Sequence, residues 1–95
     1  MKIEFTLNKE CRKFESLDWY IIQTVSNYYG GVSYVDGVGY WMNGQDLVKD
    51  HNRYYTVYTD DIDVYEVFYP MLHYVKGVSG ELSLLLVVDG VHSFL

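Results

Sequence analysis

The chain has 95 residues, 13 acidic against 7 basic, for a net charge of −6. That length suits a single domain over residues 1–95 with one modest core, and 49% hydrophobic with 18% aromatic residues is the composition of a folded chain. An acidic balance argues against direct nucleic-acid binding, which needs a basic surface to displace counterions. No apolar run approaches the roughly 18 residues of a membrane-spanning helix, so no membrane is expected either.

Residues 2–8 alternate. Ile3, Phe5 and Leu7 share one side and Lys2, Glu4 and Thr6 the other, which predicts a half-buried strand. Over residues 14–29 the period lengthens: Phe14, Leu17, Ile21, Val25 and Tyr28 form a helical stripe. Ser16 is the expected N-cap, Asp18 suits the positive end of the helix dipole, and Gly30-Gly31 stops the helix. Residues 32–42 read as one bent strand with a glycine bulge near Gly37–Gly39, although Asp36-Gly37 is also a hairpin signal. The Asn43-Gly44 turn then returns the chain antiparallel into residues 47–59.

A second helix is expected over Asp60–Lys76, capped by Asp60 or Asp63, with Glu66 completing a capping box and Gly77 closing it. Pro70 predicts a kink or a later start. Residues 81–88 form an apolar strand, Asp89-Gly90 a turn, and residues 91–95 a short tail. The order is α+β, a ferredoxin-like β-α-β-β-α-β arrangement: a four-stranded antiparallel sheet with two helices on one face. In that arrangement the strand at 81–88 is an edge. Ser83, Leu85 and Val87 then face away from the helices, to be covered by the C-terminal tail or by a second copy. This makes them the expected self-association residues of a homodimer or higher homo-oligomer.

The residues that carry chemistry are sparse. Cys11 is the only cysteine, so no intrachain disulfide forms. Together with an N-terminus (MKIEFTLNKE) too charged for a signal peptide, this sets a cytoplasmic expectation. Cys11, His51, His73 and His92 lack metal-ligand spacing, and no catalytic set, metal or cofactor is expected. Asp60, Asp61 and Asp63 lack the calcium-loop pattern and fit capping better. Eleven tyrosines are the anomaly, because a core this small cannot satisfy so many hydroxyls. Surface tyrosine is a feature of recognition surfaces. Tyr34, Tyr40, Trp41, Tyr55 and Val57 are placed on the open face of the sheet. The partner-contact candidates are Tyr54, Tyr55, Tyr58, Asp60, Asp61, Asp63, Tyr65 and Glu66, with Tyr34, Tyr40 and Trp41.

The stretch GGVSYVDGVGYW from Gly30 to Trp41, with its Asn43-Gly44 turn, resembles small PII-like ferredoxin-fold proteins. That resemblance implies assembly through sheets and small-effector binding between subunits. In style, the short, acidic, tyrosine-rich chain also looks like phage-encoded accessory proteins, including anti-CRISPR and other anti-defence inhibitors. The leading expectation is a non-enzymatic binding protein of phage or mobile-element type. It would engage a host protein or complex that handles nucleic acid or defence through an acidic, tyrosine-rich surface. The alternatives are a PII-like oligomer holding a nucleotide-like ligand, and a small ferredoxin-fold enzyme using His51 or His73.

Overall fold

A computed structural model describes residues 1–95, and the sheet is built outward from its first strand. β1 (Lys2–Asn8) buries Ile3, Phe5 and Leu7 and leaves Lys2 exposed and Glu4, Thr6 and Asn8 half-covered, as its period of two requires. α1 (Phe14–Tyr29) buries Leu17, Ile21 and Val25. It ends where Gly30 turns left-handed (φ 87°) and its N–H reaches the carbonyl of Ser26. The helix bounds match the stripe, but the cap does not. Lys13, itself left-handed, holds the N-cap position with no side-chain cap, and Ser16 lies inside the helix.

β2 (Ser33–Asn43) and β3 (Asp46–Tyr58) form one long hairpin. Its register runs unbroken from Ser33 opposite Thr56 to Asn43 opposite Asp46, so the bulge expected at Gly37–Gly39 is absent. The two glycines serve clearance instead. A Cβ on Gly37 would come to 3.0 Å from the ring of Tyr54, and one on Gly39 to 3.1 Å from the amide nitrogen of Asn52. The ring of Tyr54 lies over the strand that pairs with its own. Gly44 supplies the positive φ (64°) at the tip.

α2 (Val64–Ser79) starts directly after Asp63, the later of the two expected caps, runs through Pro70 and past Gly77, the expected stop, and ends at Gly80 (φ 78°). Asp63 occupies its N-cap position without a side-chain cap. Val64, Phe68, Met71, Leu72 and Val75 face inward. They join α1 and the inward residues of β1 and β3 in a single core cluster.

The C-terminal part differs most from expectation. Only Leu85–Val88 (β4) is strand, and Leu82 is 94% exposed rather than core. β4 is not an edge. Asp89 (φ 48°) and Gly90 (φ 81°) make a two-residue turn with both residues left-handed, and β5 (Val91–Phe94) pairs back along β4. Leu84 and Leu95 extend that ladder with mutual backbone bonds of 2.9 and 3.1 Å. The sheet therefore has five antiparallel strands in the order β2-β3-β1-β4-β5, not four. Leu85 and Val87, with Ser83 just ahead of β4, do not sit on a bare edge, because the C-terminal segment covers it.

Candidate functional site

Register decides which face each side chain takes. Phe5 pairs with Tyr55 and Tyr55 with Tyr34, so these point toward the helices, as do Val57 and Tyr40 by the same alternation. Tyr55 is fully buried, stacks on Phe5 at 4.9 Å, and donates its hydroxyl to Asp18 at 2.7 Å. It is a core residue and is removed from the contact candidates. Burial, and then the bond to Asp18, push its hydroxyl well above the usual tyrosine range. Of the residues assigned to the open face, only Trp41 is there.

Beside Tyr55, Arg53 gathers the polar groups of the helix side. Nε and Nη2 donate to the two oxygens of Asp36 at 2.8 and 3.1 Å, and Nη1 donates to Asp18 at 2.9 Å. The guanidinium lies 3.8 Å from the ring centroid of Tyr34 and 5.3 Å from that of Phe14. Lys9 adds a second donor to Asp36 at 2.9 Å. Hydrogen bonds from Arg53 and then Lys9 hold the Asp36 carboxyl well below the usual carboxylate range. Asp18, expected to serve the helix dipole, is instead the acceptor that ties α1 to β3.

The opposite face carries the candidate site. Two adjoining concavities, of about 250 and about 760 Å³, share Thr6, Tyr54 and Leu85. The smaller runs over Glu4, Thr56 and Val87 in the middle of the sheet. The larger lies between the β2–β3 hairpin and the segment 81–85, with Trp41, Asp50, Tyr54, Glu81 and Phe94 among its walls. Asp50, Asn52 and Tyr54 reach it by the strand period, and Asn52 donates to the Tyr54 hydroxyl at 3.4 Å. Glu81 is placed by the end of α2, where its N–H donates to Ser79 Oγ at 3.3 Å. Phe94 is brought in by the β4–β5 turn. Partial burial, and then the charge of Asp50, raise the Glu81 carboxyl above its ordinary value. Compared with known proteins, the chain matches no family model, no curated protein and no solved structure.

The other contact candidates lie elsewhere. Tyr58, Asp60, Asp61, Asp63, Tyr65 and Glu66 are exposed around the β3–α2 connection. There Thr59 Oγ1 accepts from the N–H of Asp61, and Asp61 Oδ1 accepts from the N–H of Asp63. Trp41 pairs with Val48, ten residues from Tyr58 along β3, so the two groups stand about 33 Å apart. Tyr40 (61% exposed) projects from the helix side of the hairpin and Tyr34 sits under Arg53. His51 and His73 are both exposed, and neither lines a concavity. No group of three or more His, Cys, Asp or Glu is arranged to hold a metal ion.

Sequence reasoning found Trp41 and Tyr54 but missed Asp50, Glu81 and Phe94. Strand alternation over residues 50–56 carried a signal for Asp50. The alternation expected over residues 81–88, with Ser83, Leu85 and Val87 away from the helices, carried the same signal for Glu81, although only Leu85–Val88 is strand.

Proposed function

We propose that this protein is a non-enzymatic binding protein that engages a partner protein through the concave open face of its sheet and the adjoining hairpin. The observation that carries the reading is the larger concavity. It combines Trp41, Tyr54 and Phe94 with the carboxylates of Asp50 and Glu81, and no basic side chain lines it. Partly exposed aromatic rings beside unpaired acidic groups suit a basic, desolvating partner surface. The most concrete version is an inhibitor, phage- or mobile-element-type, of a host complex that handles nucleic acid or defence, whose own basic surface the acidic face would occupy. The small-enzyme alternative loses its motivation, since it required a histidine within a pocket.

The test is affinity capture from a candidate host with three baits: wild type, Trp41→Ala/Tyr54→Ala, and Asp60→Lys/Asp61→Lys. A partner lost with the first variant and retained with the second supports the open face. Loss with the second variant alone moves the site to the β3–α2 connection and sinks this reading.

A second reading is self-association, and the β2 edge favours it. β2 offers eleven residues of unpaired edge with one charge, Asp36, and no proline. Proteins usually guard such an edge with lysine, proline or a bulge. A second copy pairing there adds the inter-subunit element implied by the PII-like resemblance, next to Gly37–Trp41. Setting β5 aside leaves the order β2-β3-β1-β4 with β1 and β3 inside, which supports reading the chain as a ferredoxin-like unit with an added edge strand.

A further inference from the structure

The geometry points to the larger open-face concavity as a guanidinium site that takes an arginine side chain from a basic protein segment. The assignment rests on the reading of this face as the partner surface and names the chemistry it recognises. Its walls hold two carboxylates, Asp50 and Glu81, and three aromatic rings, Trp41, Tyr54 and Phe94, among 12 residues that include no lysine, arginine or histidine. Trp41 is 48% and Phe94 72% exposed, so their faces are accessible to a planar group. In the smaller concavity Glu4 is already paired with Lys2 at 3.0 Å, so the free acid is that of Asp50 and Glu81. Like charges brought together at partial burial oppose one another, and a cation between them relieves that opposition. The Glu81 carboxyl is raised by its burial first and by the charge of Asp50 second.

Arginine is favoured over lysine on the chemistry of the walls. A guanidinium is planar, stacks on aromatic rings, offers a fork of donors to two carboxylates, and is less strongly hydrated than an ammonium. The other side of the same hairpin displays this combination within the chain. There Arg53 is shared between the carboxylates of Asp18 and Asp36 with its guanidinium carbon 3.8 Å from the ring centre of Tyr34. The concavity repeats those ingredients and lacks only a basic side chain of its own. A net charge of −6 draws a basic segment toward it.

The experiment is an NMR titration of the ¹⁵N-labelled protein with N-acetyl-arginine amide, N-acetyl-lysine amide and N-acetyl-citrulline amide. Citrulline keeps the shape and removes the charge. The expected result is saturable shifts at the Trp41 indole N–H and the amides of Tyr54 and Leu85, with an arginine Kd of about 1 mM. Lysine should bind about fivefold more weakly, and citrulline should give no saturable shift. Asp50→Asn and Glu81→Gln should each weaken arginine at least about threefold, and Asp60→Asn should leave it unchanged. Citrulline binding as well as arginine, arginine affinity indifferent to both trough variants, or no saturable shift would each overturn the assignment. Failure of the broader reading looks different. Arginine amide would then saturate the concavity while a captured partner is lost only with the Asp60→Lys/Asp61→Lys bait.

Discussion

Arg53 donates to both oxygens of Asp36 and to one of Asp18, with its guanidinium over the ring of Tyr34, so one side chain joins β3, β2 and α1. Its side chain is only 13% exposed, and Asp18 is 16% exposed. Removing the cation leaves a largely covered carboxylate without its charged partner, although the Tyr55 hydroxyl still reaches it. Arg53→Met should therefore cost about 3 kcal/mol, read as a lower urea midpoint at unchanged slope. Arg53→Lys should recover little of this, because an ammonium cannot make the fork. The pH dependence follows from Asp36. Its folded-state pKa is depressed, so its contribution is present above the ordinary carboxylate value of about 3.9 and is lost as pH falls below it. The wild-type midpoint should fall steeply on acidification below pH ~4. Asp36→Asn should lower the neutral-pH midpoint and flatten that fall; an unchanged slope in the variant would show that Asp36 is not the titrating group.

At the scale of elements, β5 is the piece that changes the architecture. It pairs with the apolar β4 and is held by the Asp89-Gly90 turn. Asp89 Oδ1 also accepts the N–H of Lys2 at 2.7 Å. Truncation after Gly90 should uncover β4 as an apolar edge and raise the scattering mass with concentration, whereas a truncated chain that stays at the wild-type mass would mean β5 covers nothing of consequence. The elements were legible where the signal is local. The stripe from Leu17 to Val25 placed α1, and alternation at Ile3, Phe5 and Leu7 placed β1. What failed was non-local. VHSF is too short to announce a strand, and it becomes one only because the turn aims it at β4. Faces failed for a related reason. Tyr54 and Tyr55 are indistinguishable until the register against β1 is known, and a slip of one residue exchanges them. Glycines were legible as special positions, but Gly37 and Gly39 clear room for Tyr54 and Asn52 rather than forming a bulge.

For the whole molecule, only Tyr55 of the 11 tyrosines is buried, while Tyr28, Tyr34, Tyr40, Tyr58, Tyr65 and Tyr74 are exposed. The rings that composition made conspicuous are spread around the surface; at the open face they meet a concavity with acidic and no basic walls, whereas the concavity beside Tyr58 and Asp60 also holds Lys2. The unguarded β2 edge acts at this scale too. Light scattering should give twice the 11.2 kDa chain mass, returning to one chain for Val38→Lys; a wild-type monomer at high concentration removes the edge-pairing reading. The face and the edge meet at Trp41, which lies on β2 and lines the concavity. On the proposed function, recognition resides in that concavity rather than in the acidic segment 58–66. Its most direct test is amide shift mapping of the ¹⁵N-labelled protein during titration with a hexa-arginine peptide. Saturable shifts are expected, centred on Thr6, Trp41, Asp50, Tyr54, Leu85 and Phe94. Shifts confined to Tyr58–Glu66, or spread evenly over the acidic surface, would contradict it.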